Sequence, residues 1–279
     1  MTDSSMGVAQ ARVPKRGTWW RVLLTALGLY VLGILLLLLT GNVNLFPTVV
    51  LLGNLMVPAA YVSFFYERRH LSKLSWSSTL LSFLYGGVLG VFAASLLEPL
   101  FIHGMSLPSA FIVGLIGEFV KILGVLLIAR RRRHDSELDG LILGVAAGMG
   151  FATLESLGYS FSAFLRSGGS LSATVGVTLL RGLLSPLGHG NWTALLVSVL
   201  FRESTGTRYH INLRVLLAYM AVVVLHGLWD GLPLVISALL GPGLDIFVAQ
   251  GLIGALSLFL LWRRWREAAR LEESRQAGE

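Results

Sequence analysis

The sequence predicts an all-α polytopic membrane bundle of about eight transmembrane helices, with both termini cytoplasmic. Three observations carry that prediction. The 279 residues are 54% hydrophobic and 13% charged with mean hydropathy +0.74, whereas soluble domains run nearer ~25% charged. Eight apolar runs reach the ~20 residues that a spanning helix needs. When those runs are threaded alternately from a cytoplasmic N-terminus, 19 of the 22 lysines and arginines fall on the inner side.

The first run, 19–40, follows Arg12, Lys15, Arg16 and Arg21. It is too long for a signal-peptide core and no small-residue cleavage site stands out after it, so it is expected to stay as an uncleaved span. Residue 2 is Thr2 rather than the glycine that myristoylation needs. The second and third runs are 44–66 and 77–97, joined by a loop with Arg68, Arg69 and Lys73. Gly86, Gly87 and Gly90 in the third mark a close helix contact. The fourth, 108–129, ends in the basic loop Arg130–Arg133, read as a topology anchor. The fifth, 139–161, carries Gly140, Gly144 and Gly148 at four-residue spacing, which fits a central, tightly packed helix. The sixth, 179–202, has Pro186 in its interior; a kink there frees the Gly182 carbonyl, tolerable if a neighbour or water satisfies it. The seventh and eighth are 213–237 and 241–262. The chain therefore divides into a cytoplasmic N-terminal tail (1–18), one transmembrane bundle (19–262) and a basic cytoplasmic C-terminal tail (263–279).

Cysteine is absent, which excludes disulfides and thiolate chemistry. A net charge of +7 on a soluble protein would point to nucleic acid; here the basic loops face an anionic leaflet, so the expected partners are membrane lipids and not nucleic acid.

Six ionisable side chains stand inside the apolar runs: Glu118 and Lys121, Glu155, His189, and His226 with Asp230. Burying a charge at bilayer depth costs ~3 kcal/mol or more, so such groups usually face an internal cavity. Glu118 and Lys121 are three apart and share a helix face, where they form either a self-neutralising pair or part of a site. Phe151 and Glu155 are four apart on one face, and Glu155 alone reads equally as a protonated carboxyl. His189 alone reads as a neutral core histidine. Arg181 is expected near the outer interface, free to snorkel. His226 and Asp230 at i, i+4 suit a metal ligand with its orienting carboxylate, a histidine base held by an aspartate, or a plain buried hydrogen bond. Depth favours a shared site. At about 1.5 Å rise per residue, the carboxylates and imidazoles of four helices fall at the midplane or in its outer half. His70, His134 and His210 in inner loops and His103 in an outer loop are expected to be surface residues.

The order of these motifs resembles the PrsW family of intramembrane proteases, distantly akin to the CAAX-processing membrane proteases. Glu-x-x-Lys is followed by a basic loop, Leu138-Asp139-Gly140, a glycine-rich helix ending Phe-x-x-x-Glu, Pro-x-x-His and His-x-x-x-Asp, covering about 108–235. The resemblance implies a multi-pass protein of a bacterial cytoplasmic (inner) membrane that cleaves single-span membrane proteins, such as anti-sigma-factor-like substrates. It implies catalytic Glu118, Lys121, Glu155, His189, His226 and Asp230. The chemistry it implies is either metallo-type, with a divalent metal such as zinc on His189, His226 and Glu155, or glutamic-type with no metal. Glu118 would be the general base, Lys121 would orient it or hold charge, and Asp230 would orient His226. Two positions depart from the family pattern: Gly117 stands where a first glutamate precedes Glu118, and Ser156 where asparagine follows the second-motif glutamate. Gly117 motivates a second reading, a non-catalytic member that binds transmembrane segments. Proton-coupled transport is a third, which lacks the paired broken helices of transporters.

Overall fold

A computed structural model describes residues 17–72, 74–129, 136–205, 208–241, 243 and 245–278. Arg12, Lys15, Arg16, Lys73, the Arg130–Arg133 run and His134 lie outside the described residues. The rest is helical: α1 Thr18–Thr40, α2 Phe46–Tyr66, α3 Trp76–Phe101, α4 Leu107–Ala129, α5 Glu137–Arg166, α6 Leu171–Leu184, α7 His189–Glu203, α8 Leu213–Leu240 and α9 Asp245–Gly278. Among the described residues there is no strand, only an isolated bridge between Thr205 and Arg208. Among the described residues eight segments are long and apolar enough to cross a membrane, with α6 and α7 together forming the sixth. The chain is a multi-pass membrane bundle.

Helix α5 is the axis. Of its apolar stretch 83% is buried inside the protein, against 6% for α1, which presents leucines outward all along its length. The glycine spacing explains how α5 accepts neighbours on several sides. A Cβ at Gly144 would stand 2.5 Å from Ala194 Cα of α7, and one at Gly148 would run into the His189 carbonyl. Glycine at 148 therefore sets how closely the start of α7, and with it His189, lies against α5. Ser82 of α3 adds a hydrogen bond to the Leu143 carbonyl at 2.8 Å. Such close backbone approach and interhelical hydrogen bonding replace the hydrophobic drive that is missing in lipid.

The sixth span departs from the sequence reading. It begins at Leu171, earlier than expected, and it is broken rather than kinked: a 3-10 turn at Ser185–Leu187 and Gly188, which is neither helical nor extended, separate α6 from α7. Pro186 cannot donate to Gly182, and the freed carbonyl accepts the Ser185 hydroxyl at 2.9 Å instead. The break makes His189 the first residue of a new helix. The C-terminal residues also differ from a plain polar tail, since α9 continues through them to Gly278. Arg264 on that extension reaches Ser198 of α7 at 3.2 Å and Glu137 of α5 at 3.3 Å, which holds the helix against the bundle.

Candidate functional site

All six residues singled out from the sequence meet in one connected network. Its centre is Glu118 on α4, fully buried. Its Oε1 accepts from Lys121 Nζ at 2.5 Å and lies 2.9 Å from His226 Nδ1 on α8. Its Oε2 is 3.4 Å from the Thr193 hydroxyl on α7. Lys121, also fully buried, lies 2.9 Å from His189 Nδ1. The far nitrogen of each imidazole faces a carboxylate: His189 Nε2 is 3.2 Å from Glu155 Oε2, and His226 Nε2 is 3.4 Å from Asp230 Oδ2. The path Asp230–His226–Glu118–Lys121–His189–Glu155 thus crosses α8, α4, α7 and α5.

Local features of the sequence set this geometry. Gly114 lets α8 approach α4, since a Cβ there would stand 2.8 Å from the Val223 carbonyl. At Gly117 a Cβ would stand 3.0 Å from His226 Cε1 and 3.9 Å from Lys121 Nζ, so any side chain at 117 would enter the site. Aromatic rings wall the centre: Trp192 stacks on His226 with centroids 4.8 Å apart, and Lys121 Nζ lies 4.7 Å over Phe151. Trp192 is itself fixed by its Nε1 donating to Ser257 of α9 at 2.8 Å. The buried centre of the network sits behind these rings, while the Glu155 and Asp230 side chains at its two ends stay about a quarter exposed, at 24% and 26%.

Two expectations change. Arg181 does not snorkel; Nη2 donates to Glu155 at 2.6 Å and Nε to Ser156 at 3.0 Å. The alternative reading of Glu155 as an isolated protonated carboxyl therefore gives way to a paired carboxylate. The convergent ligand set also differs from His189, His226 and Glu155. Glu118, His189 and His226 each offer one ligand atom, all within 4.8 Å of one another. Glu155 stands behind His189 instead, held by Arg181 and the imidazole. The donor set of one carboxylate and two imidazoles is one that zinc takes, and each imidazole has a partner for its second nitrogen, as metal-bound histidines do. These residues therefore fit a divalent ion. The Lys121 ammonium already contacts two of the three ligands, so a divalent ion at this point would have to displace it.

Sequence reading missed Thr193 and Arg181 as members of the network. Arg181 carried a signal, a charge within an apolar run. His70, His103 and His210 are exposed, as expected.

The model of one protein family, described as PrsW family intramembrane metalloprotease, matches residues 74–262, which contain every residue of the network. No curated protein and no solved structure matches the chain.

Proposed function

The chain belongs to the PrsW family of intramembrane metalloproteases, and on that footing we propose that it hydrolyses a peptide bond of membrane-anchored, single-span proteins such as anti-sigma-factor-like substrates, in a bacterial cytoplasmic membrane with both termini inside. The observation that carries this reading is the convergence of Glu118, His189 and His226 from three helices, buried and within 4.8 Å.

The contacts support a role for each residue. Glu118 takes the proton of the attacking water, since it is the central carboxylate and acts away from bulk solvent. Lys121 holds Glu118 in place and offsets its charge. His226, oriented by Asp230, and His189, oriented by Glu155, face the reacting carbonyl and stabilise the negative charge that develops on its oxygen. Where a divalent metal is used, Glu118, His189 and His226 would hold it, and it would supply Lewis-acid polarisation of water and carbonyl. In that version Asp230 and Glu155 keep their roles as partners of the imidazoles. Lys121 contacts both Glu118 and His189 and so would compete with such an ion for these ligands.

The test is cleavage of a single-span substrate by the purified protein. Glu118→Gln is expected to lower the rate by about 10²–10⁴-fold, with a comparable loss for His226→Ala. Cleavage that survives both changes would remove this site from the reaction. Metal content of the same preparations separates the two versions. One bound ion that is lost in His226→Ala supports the metal form, and full activity in metal-free protein supports the carboxylate form.

One observation favours the non-catalytic reading. Position 117 borders His226 and Lys121, and here it brings no carboxylate. On that reading Gly117→Glu creates cleavage that the wild type lacks; cleavage by the wild type ends it.

A further inference from the structure

Beside the network lies a cavity of about 160 Å³ that the hydrolytic residues do not fill. His189 forms one wall. Ser156, Arg181, Ser185, Trp229 and Gln250 form others, so α5, α6, α8 and α9 all contribute. At ~30 Å³ each, on the order of five waters would fit.

Three features indicate what the cavity takes. Ser185 and Gly188, the two ends of the break between α6 and α7, lie on it, and irregular backbone at membrane depth is tolerated only inside protein or along a cavity. The Gln250 Oε1 is shielded from solvent and has no partner among the described residues. A buried acceptor without a donor is costly, so this oxygen is made for a group that brings an N–H or O–H. The remaining wall is apolar and reaches the outer surface through Ile246, which is 39% exposed on α9.

A transmembrane helix cannot satisfy Gln250 with its backbone, because its N–H groups are spent on its own carbonyls. An unwound stretch of the same polypeptide can, and its apolar side chains suit Trp229 and Leu184. We propose that this cavity is the substrate subsite. It takes an extended, apolar segment of a membrane-anchored polypeptide, with one backbone N–H donated to Gln250 Oε1, and so delivers an adjoining peptide bond to the His189 side of the network. The assignment rests on the hydrolase reading above for the identity of its ligand. Gln250 acts here as a positioning residue for substrate, apart from the groups that move protons.

The experiment uses the full-length protein in liposomes with a single-span substrate. A photoreactive benzoylphenylalanine replacing Ile246 is expected to crosslink to the substrate, in the wild-type and in the Glu118→Gln background. The same group at Leu29, exposed on α1, should not. In the cleavage assay Gln250→Met is expected to raise KM about fivefold, the worth of one ordinary hydrogen bond, with kcat within about twofold. Gln250→Glu, which keeps an oxygen there, should restore KM. Cleavage by the wild type without crosslinking at 246, or a KM indifferent to Gln250→Met, would overturn the subsite and leave a water-filled recess. Crosslinking at 246 without any cleavage by the wild type would support the subsite and overturn the hydrolase reading instead.

Discussion

Two charge networks join the helices of this bundle, and they are built differently. The one around Glu118 links α4, α5, α7 and α8 through contacts of 2.5–3.4 Å, with His189 facing a carboxylate on one side and His226 on both. The other gathers at one end of the bundle, where Glu137 of α5 faces Arg264 at 3.3 Å and Arg202 at 3.6 Å, and Glu203 faces Arg214 at 3.3 Å. Neither Glu137 oxygen makes a hydrogen bond among the described residues. The first network is directional and walled by aromatic rings. The second contains no imidazole, leaves the Glu137 carboxylate without a hydrogen bond among the described residues, and runs from the mostly buried Arg264 out to Arg214, which is 72% exposed. Charge inside a membrane protein is therefore no mark of chemistry by itself. What distinguishes the Glu118 network is the combination of short contacts, imidazoles and shielding, whereas the other serves to hold α5, α7 and α9 together.

The sharpest way to break this contrast is Lys121→Met. It leaves the fully buried Glu118 carboxylate without its ammonium, a loss of about 3–5 kcal/mol for a buried pair. Thermal unfolding in detergent should show a large fall in midpoint, and the double variant Lys121→Met/Glu118→Gln should recover most of it. A single variant as stable as wild type would show that the pair is no energetic unit. Asp230→Asn should act on chemistry more than on stability. His226 keeps its ring but loses the charge behind Nε2, and cleavage should fall about 10–100-fold, the range for removing such an orienting partner. An unchanged rate would detach Asp230 from the reaction. The smallest effect belongs to Arg214→Ala in the second network. Exposed ion pairs contribute little, so stability should stay within about 0.5 kcal/mol and cleavage should not change. A marked loss of cleavage there would erase the distinction between the two networks.

Much of this was legible from the chain. Helix spacing put Glu118 with Lys121 and His226 with Asp230 on common faces, and four-residue glycine spacing marked α5 as central. Other features were not. Pro186 announced a disturbance in the sixth span. Whether that became a kink or two helices depended on Ser185 capturing the Gly182 carbonyl and on α7 seating against Gly144 and Gly148. Arg181 was visible as a charge in an apolar run, but its partner, Glu155, is 26 residues away across a helix interface. The sequence reading groups Glu155 with the two histidines as possible metal ligands, whereas the carboxylate that converges with both of them in the structure is Glu118. Nothing local distinguishes the two carboxylates; the difference arises because α4 and α8 close on each other at Gly114, while Arg181 draws Glu155 aside.

By itself the sequence determined the solvent and the local register. Apolar runs of spanning length require helices, because lipid offers nothing to an unpaired backbone group. Within each helix the 3.6-residue turn then decides which side chains share a face. Only the tertiary structure decided which faces meet. Glu118 and His226 are 108 residues apart, and Lys121 and His189 are 68 apart. Such pairings depend on interhelical distances set by where glycines allow backbones to touch, a property of two surfaces together that neither stretch of chain carries alone.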